Sequence, residues 1–230
     1  MSPVSRLGKQ IAEIAAILNA IHAQFALIGG LALASHSVIR ATQDVDLLVP
    51  HDRAGDIDTE LRKVGYDCLH RSPDAGNYAR GGERVDFLYA NRPIARRLLA
   101  DAVEMKTSLG TLRVISLEGL IGFKLQDLVN DPRRTQDLED IRALLRVNRG
   151  KLDLAELREY FRCSTGNHCS MTSSKKPPDQ PFANSGGLER PARRDSDPYR
   201  ALDDLMAVVE ALCPTWPERD TFVTSGKMLL

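Results

Sequence analysis

Two aspartates stand one residue apart in an otherwise apolar segment, Asp44 and Asp46 of the sequence DVDLLV. In an extended strand the side chains at positions i and i+2 point to the same face, so both carboxylates project together. Burying unpaired carboxylates is unfavourable unless a cation or hydrogen bonds compensate. Carboxylate and phosphate oxygens are the ligands that Mg²⁺ prefers. The spacing therefore predicts a clamp for a divalent metal.

A third acid, Asp86, interrupts a second strand-like segment, RVDFLY. If this strand lies beside DVDLLV, the three carboxylates converge on one edge of the sheet. Three acids suit two metal ions about 3.5–4 Å apart, which stabilise the attacking and leaving oxygens of a phosphoryl displacement. We therefore expect two Mg²⁺ ions bound by Asp44, Asp46 and Asp86, with Mn²⁺ as the alternative cation.

A glycine pair, Gly29 and Gly30, ends the short apolar segment FALIGG and precedes the helix-compatible segment LALASHSVI. Without a Cβ, such a turn lets backbone amides and a helix N-terminus approach a triphosphate. Between this turn and the aspartates, Arg40 either faces phosphate or pairs with Asp44 or Asp46. His36 is better interpreted as a hydrogen-bonded, partly buried histidine than as a catalytic base.

The elements that must position these residues follow from periodicity and turn signals. We predict helices at 9–23, AGDIDTELRKVG, LEGLIGFKLQDLVN, TQDLEDIRALLRVN and DLAELREYF, and strands at FALIGG, DVDLLVP, YDCLH, RVDFLYA and GTLRVIS. The segment RSPDAGNYARGGE is predicted to be a loop. The fold class is therefore α+β, a mixed β-sheet flanked by helices and followed by a C-terminal helical region.

The chain is predicted to comprise five segments. They are a core at 1–116, a helical region at 117–163 that completes the site, a flexible linker or insertion at 164–197, a helix at 198–216 and a tail at 217–230. The linker assignment depends on composition, because a segment rich in Ser, Pro, Gly and Asn buries too little apolar surface to offset ordering.

Composition restricts the class of protein. The chain has 230 residues, 43% of them hydrophobic, and a formal net charge of zero, so no global charge attracts it to nucleic acid or membrane. It lacks the apolar run of roughly 18 residues that spans a bilayer. Its four cysteines are irregularly spaced, which favours reduced thiols. We predict a cytoplasmic protein that does not bind membranes.

The pattern LIGGLALASHSVIRATQDVDLLV, with RVDFL downstream, resembles the nucleotidyltransferase superfamily of the DNA polymerase β type. That signature is a hydrophobic strand, a Gly-Gly or Gly-Ser turn, a spacer and D-x-D. The later segment EGLIGFKLQDLVNDPRRTQDLEDIRALL resembles the Lys, Arg and Asp-x-x-Asp-Ile segment of the AbiEii-like branch, which includes toxins of toxin–antitoxin systems. Together the two resemblances cover roughly 25–145.

The resemblance implies transfer of a nucleoside monophosphate from a nucleoside triphosphate to an acceptor hydroxyl, with release of pyrophosphate. It implies that Asp44 and Asp46 bind metal, and that Asp86 binds one metal and assists deprotonation of the acceptor. Gly29 and Gly30 would hold the phosphates. Many relatives carry serine where this chain has Gly30, so a hydroxyl contact to phosphate is missing here.

The helical segment adds Lys124, which matches the family lysine that faces the triphosphate, and Asp137 and Asp140, which match its Asp-x-x-Asp pair. From the residues alone, Lys124 could also extend from an amphipathic helix into solvent. The two aspartates, at i and i+3, could solvate a helix face or interact with the helix dipole at its first turn. Arg133 and Arg134 fit either a phosphate contact or a charged interhelix loop.

Three functions remain open from the sequence. The first is transfer to RNA, such as the 3′ end of a tRNA, by the toxin of a toxin–antitoxin system with an antitoxin protein as partner. NRPIARR and PARR offer local positive charge for a polyanion. The second is a catalytically inactive binding or antitoxin module. The third is transfer to a hydroxyl of a protein or of a small molecule such as an aminoglycoside.

Overall fold

The computed structural model describes residues 5–107, 110–131 and 133–164. Within these ranges the chain forms seven α-helices and seven β-strands. In chain order they are α1 (Arg6–Ala20), β1 (Ala26–Leu27), α2 (Gly29–Ser35), β2 (Asp44–Pro50), α3 (Ala54–Lys63), β3 (Asp67–Arg71), β4 (Ala75–Arg80), β5 (Glu83–Ala90), α4 (Pro93–Ala100), β6 (Val103–Thr107), β7 (Gly110–Val114), α5 (Leu117–Asn130), α6 (Thr135–Val147) and α7 (Leu154–Ser164).

The predicted α+β class is confirmed. In the described part of the chain the strands form one sheet in the order β3-β4-β5-β2-β1-β7-β6. β2 is parallel to β5 and antiparallel to β1, so the sheet is mixed. The predicted neighbourhood of DVDLLV and RVDFL is therefore correct. The two strands lie in the interior of the sheet rather than at its edge.

The two faces of β2 differ in polarity. Val45, Leu47 and Val49 are fully or almost fully buried on one face and alternate with Asp44, Asp46 and Leu48 on the other. The first is the core face of the sheet, and the second is its aspartate face.

Helices α1 and α3 cover the core face. Tyr78 of β4 projects to this face, where its hydroxyl donates a hydrogen bond to Asp58 of α3 at 3.1 Å. Arg80, on the same side of β4, donates hydrogen bonds to Glu13 of α1. The side chain of Asn77, the residue before Tyr78, points to the opposite face, the aspartate face.

Helices α4 and α5 flank the aspartate face, and α5 also packs against α6 and α7. Ser116 caps α5 by accepting a hydrogen bond from the backbone N–H of Gly119 at 3.1 Å. Gly122 of α5 has no space for a side chain, because a Cβ would lie 2.5 Å from the Tyr160 ring of α7. The two helices therefore pack closely beside the sheet.

The predicted loop RSPDAGNYARGGE is wrong in its middle part, which forms β4. This segment contains Gly76 and Asn77, which disfavour strands, and only one large apolar residue, Tyr78. It is a strand because its backbone pairs with β3 on one side and β5 on the other. Helix α4 and strand β6 were also not predicted, and α1 begins and ends earlier than predicted.

Three predicted segments lie outside the described residues. They are the linker from residue 165 onward, the helix at 198–216 and the tail at 217–230. Among the helices that are described, none has both the length and the apolar run that crossing a bilayer requires.

Candidate active site

Asp46 and Asp86 are direct neighbours on two parallel strands. Asp46 of β2 pairs in register with Asp86 of β5, so both carboxylates project from the aspartate face. Burial and, after it, the negative charge of Asp86 raise the pKa of Asp46 to about 6. The pair is therefore a site with excess negative charge, which a cation would relieve.

The glycine turn contacts Asp46 directly. The backbone N–H of Ile28 donates to the backbone carbonyl of Asp46 at 3.0 Å, and the N–H of Gly30 donates to the Asp46 carboxylate. Gly29 has a φ of +62°, and a Cβ there would lie 2.0 Å from Oδ2 of Asp46. At Gly30 a Cβ would lie 2.7 Å from the Cβ of Thr42. The turn thus holds one carboxylate in place, whether or not it also meets phosphate.

Asn77 is a site residue that the sequence analysis missed. It pairs in register with Asp86 across the antiparallel β4–β5 ladder, and its Nδ2 donates a hydrogen bond to Oδ1 of Asp86 at 2.7 Å. The segment that contains it was predicted to be a loop, so no signal in the sequence placed it beside Asp86. Only the pairing of β4 with β5 brings the two side chains together.

Lys124 is the centre of a buried charge cluster. Its Nζ donates hydrogen bonds to Oδ1 of Asp137 at 2.8 Å and to Oδ2 of Asp140 at 2.6 Å. All three side chains are 7% exposed or less. Arg134 binds the other oxygen of Asp137, and Nε of Arg40 lies 3.7 Å from Oδ1 of Asp140. Lys124 is therefore buried and paired rather than extended into solvent, and Arg40 pairs with neither Asp44 nor Asp46.

The charges of this cluster affect the pKa values of the carboxyl groups in and around it. Burial opposes ionisation of Asp137, but hydrogen bonds from Lys124 and Arg134 outweigh it and lower the pKa of Asp137. Burial raises the pKa of Asp127, although Arg134 lies 3.5 Å away and acts in the opposite direction. The charge of Lys124 also opposes the raised pKa of Asp46.

These groups meet in one cleft of about 640 Å³ between the aspartate face, α4 and α5. Its lining includes most of the residues that the sequence analysis singled out: Gly29, Gly30, Arg40, Asp46, Asp86 and Lys124. It also includes Asn77, Asp127 and Arg134. Asp44 lies on the same strand face as Asp46 and adds to its raised pKa, but it does not line the cleft.

Solved structures resemble this chain in fold. ANT(2″)-Ia in complex with adenylyl-2″-tobramycin superposes with a TM-score of 0.58 at 18% identity, over 70% of this chain and 98% of that chain. The solution structure of the antibiotic-resistance factor ANT(2″)-Ia gives a TM-score of 0.54 at 18% identity, over 71% and 95%. The chain has the nucleotidyltransferase fold. Comparisons with protein-family models and with curated proteins gave no match.

The nucleotidyltransferase fold confirms the predicted fold type, and the assignment to the AbiEii-like branch stays a prediction.

Two further residues have roles outside the cleft. His36 is buried, and its Nε2 lies 2.8 Å from the carbonyl oxygen of Ile115, which confirms the interpretation as a hydrogen-bonded histidine. Burial lowers the pKa of His36. Arg133 pairs with Asp131 at 2.9 Å in an exposed interhelix loop.

The donor set of this nucleotidyltransferase fold suits a hard divalent cation. Asp46 and Asp86 supply carboxylate oxygens at paired positions, Asp44 lies on the same face of β2, and burial together with the charge of Asp86 raises the pKa of Asp46. Across the described ranges, no three His, Cys, Asp or Glu side chains are close enough together to form a preassembled metal site. The residues fit Mg²⁺ or Mn²⁺ by chemistry.

Proposed function

We propose that this protein is a metal-dependent nucleotidyltransferase, which transfers a nucleoside monophosphate from a nucleoside triphosphate to an acceptor hydroxyl. The observation that carries the proposal is the register pairing of Asp46 with Asp86 beside the turn at Gly29 and Gly30, inside one cleft. Two adjacent carboxylates next to a turn without Cβ atoms suit a reaction between a metal-bound triphosphate and a hydroxyl.

The order of the strands indicates where the two substrates bind. β4, β5, β2 and β1 lie side by side, so Asp86 of β5 is on the opposite side of Asp46 from the glycine turn that follows β1. The triphosphate would lie on the side of Gly29 and Gly30. The acceptor would lie on the side of Asp86 and Asn77.

In the proposed reaction, the acceptor hydroxyl oxygen forms a bond to the α-phosphorus of the triphosphate. The bond between that phosphorus and the oxygen that bridges to the β-phosphate breaks, and pyrophosphate leaves with the electron pair. The hydroxyl proton passes to the carboxylate of Asp86. Asp86 therefore serves as the general base.

Asp44, Asp46 and Asp86 are the residues that would hold Mg²⁺, with Mn²⁺ as the alternative. A bound divalent ion of this kind neutralises phosphate charge and stabilises the attacking and leaving oxygens. The role of the protein is to keep the carboxylates at adjacent positions, which the β2–β5 register and the Gly30 N–H bond to Asp46 achieve.

Among the described residues, four cations line the cleft, and three of them, Lys124, Arg40 and Arg134, are candidates to bind the triphosphate. Nζ of Lys124 donates hydrogen bonds to Asp137 and Asp140, so one of its three N–H groups is left to donate to a phosphate oxygen. The side chains of Arg40 and Arg134 are 37% and 52% exposed, and both line the cleft. We propose Lys124 and Arg40, together with Gly29 and Gly30, as the nucleotide-binding residues.

The acceptor is proposed in two forms. RNA, with the 3′ end of a tRNA as target, and a toxin role with an antitoxin partner come from the sequence resemblance. A small-molecule hydroxyl is the second candidate, and two observations favour it. The cleft of about 640 Å³ has the size of a small-molecule site. The fold matches nearly the full length of ANT(2″)-Ia, which was solved with adenylyl-2″-tobramycin.

The test is an acceptor panel with α-phosphate-labelled nucleoside triphosphates and Mg²⁺. Total tRNA, a set of aminoglycosides and the protein itself are offered separately, beside the double variant Asp44→Ala, Asp46→Ala. Label on tRNA supports the first acceptor and label on an aminoglycoside supports the second, provided that the double variant gives none. Nucleotide binding without transfer to any acceptor would contradict the proposal and favour an inactive binding module.

A further inference from the structure

Asp86 is held from one side only. Asn77 donates its Nδ2 hydrogen to Oδ1 of Asp86 at 2.7 Å. In the part of the chain that the structure describes, no other side chain donates a hydrogen bond to this carboxylate. Its second oxygen, Oδ2, is therefore the one available to a cation or to the proton of an acceptor hydroxyl.

The neighbour on the other side of Asp86 is a second carboxylate. Asp46 pairs with Asp86 in register on β2, and the charge of Asp86 contributes to the raised pKa of Asp46, so the two carboxylates repel each other. Repulsion from β2 pushes the Asp86 side chain towards β4 but does not fix which way its two oxygens face. A hydrogen bond to a charged acceptor is roughly twice as strong as one between neutral groups, so the Asn77 amide on β4 can hold Oδ1 on its own side and keep the carboxylate from rotating further.

An asparagine suits this position for two reasons. It donates a hydrogen bond without adding charge, whereas an aspartate of the same shape would donate none and would repel Asp86. It is also directly opposite Asp86 in the β4–β5 ladder, where the Cβ atoms of paired residues are about 4.5–5.5 Å apart. The short side chain of asparagine spans this separation.

We infer that Asn77 is a positioning residue, which fixes the carboxylate of Asp86 so that Oδ2 can bind a divalent cation and accept the proton of the acceptor hydroxyl. The inference rests on the proposed function for the proton transfer, and on the geometry alone for the cation. Asn77 acts through Asp86 and has no role in the reaction by itself.

The test uses the full chain with Asn77→Ala, Asn77→Asp and the control Ala79→Ser. Ala79 is two residues further along β4 on the same side of the strand and pairs with Arg84 rather than with Asp86. Each variant is also made in an Asp86→Ala background. The measurements are the melting temperature, kcat and KM with the acceptor that the wild type uses, and the Kd for Mn²⁺ from a titration followed by electron paramagnetic resonance.

If the wild type transfers nucleotide, we expect Asn77→Ala to lower kcat roughly 10- to 100-fold, as loss of a supporting partner of a metal ligand does, while KM for the triphosphate changes less than about threefold. Asn77→Asp should lose as much, and Ala79→Ser should match the wild type. In the Asp86→Ala background, Asn77→Ala should cause no further loss, because the two side chains act together. Full kcat in Asn77→Asp, or additive losses, would overturn the inference.

If the wild type transfers to no acceptor, the proposed function fails and the Mn²⁺ titration decides about Asn77 separately. We then expect Asn77→Ala to weaken Mn²⁺ binding roughly 10-fold in the wild-type background and to leave it unchanged in the Asp86→Ala background. An unchanged Mn²⁺ affinity in Asn77→Ala, at an unchanged melting temperature, would show that Asn77 does not position Asp86.

Discussion

Gly29 and Asp46 occupy adjoining space so closely that a Cβ on Gly29 would lie 2.0 Å from Oδ2 of Asp46. The backbone of Gly29 also has a φ of +62°, a conformation that L side chains rarely adopt. The glycine of this turn is therefore required by the carboxylate beside it, as well as by the predicted approach of a phosphate.

Gly29→Ala should destabilise the protein by at least about 1 kcal/mol, because of the positive φ, and should displace the carboxylate of Asp46. A displacement on the order of 1 Å costs roughly 100-fold in rate, so nucleotide transfer should fall by about that factor. Urea denaturation and the transfer assay measure the two effects. Gly55→Ala is the control, because Gly55 lies in α3 with open space at its Cβ position. That control should stabilise the protein by about 0.5–1 kcal/mol and leave transfer unchanged.

Asp46→Asn should stabilise the metal-free protein at neutral pH. The pKa of Asp46 is about 6 in the fold against 3.8 in the unfolded chain, so the folded state binds the proton more tightly. The corresponding stabilisation is fully present below the unfolded pKa and is lost as the pH rises through the folded pKa. At about pH 7.5 the wild type should therefore be less stable than Asp46→Asn, by up to roughly 3 kcal/mol.

The check is urea denaturation of both proteins in the presence of a chelator at about pH 7.5 and about pH 4.5. The advantage of Asp46→Asn should shrink by roughly 2 kcal/mol at the lower pH, where the wild-type carboxyl is protonated. Mg²⁺ should stabilise the wild type at neutral pH and should have less effect on Asp46→Asn. An advantage that does not depend on pH would contradict the prediction.

Lys124→Met should destabilise the protein strongly, by roughly 3–5 kcal/mol, because it leaves Asp137 and Asp140 buried without their cation. The triple variant Lys124→Met, Asp137→Asn, Asp140→Asn removes the charges together and should recover most of that loss. Nucleotide binding by the triple variant then measures the phosphate role of Lys124 separately from folding. Wild-type affinity for the triphosphate in the triple variant would show that Lys124 does not contact phosphate.

Asp86→Ala should preserve nucleotide binding better than it preserves transfer. Asp86 is on the opposite side of Asp46 from the glycine turn, so the triphosphate site keeps its turn and its cations. We expect the Kd of the triphosphate to change less than about threefold, and kcat to fall at least roughly 100-fold because the general base is lost. Isothermal titration and the transfer assay give the two values. Equal losses in both would place Asp86 on the nucleotide side.

The two carboxylate strands could be predicted because DVDLLVP and RVDFLYA are rich in β-branched and apolar residues. β4 could not be predicted, since AGNYAR gains its strand conformation from neighbours on both sides rather than from its own residues. Because Asn77 lies in β4, it could not be predicted as a site residue either. The pairing of Lys124 with Asp137 and Asp140 could not be predicted for a different reason. Two aspartates at i and i+3 have the same spacing on a solvated helix face as in a buried cluster.

The position of β2 as the middle strand of seven in the described sheet determines how the site responds to local opening. Fraying starts at the outer strands, β3 and β6, and reaches β2 and β5 only when most of the sheet separates. The backbone amides of Val45 and Phe87 should therefore exchange their hydrogens only through global unfolding. The two strands that hold Asp46 and Asp86 therefore separate last, so local opening of the sheet does not relieve the repulsion between these carboxylates.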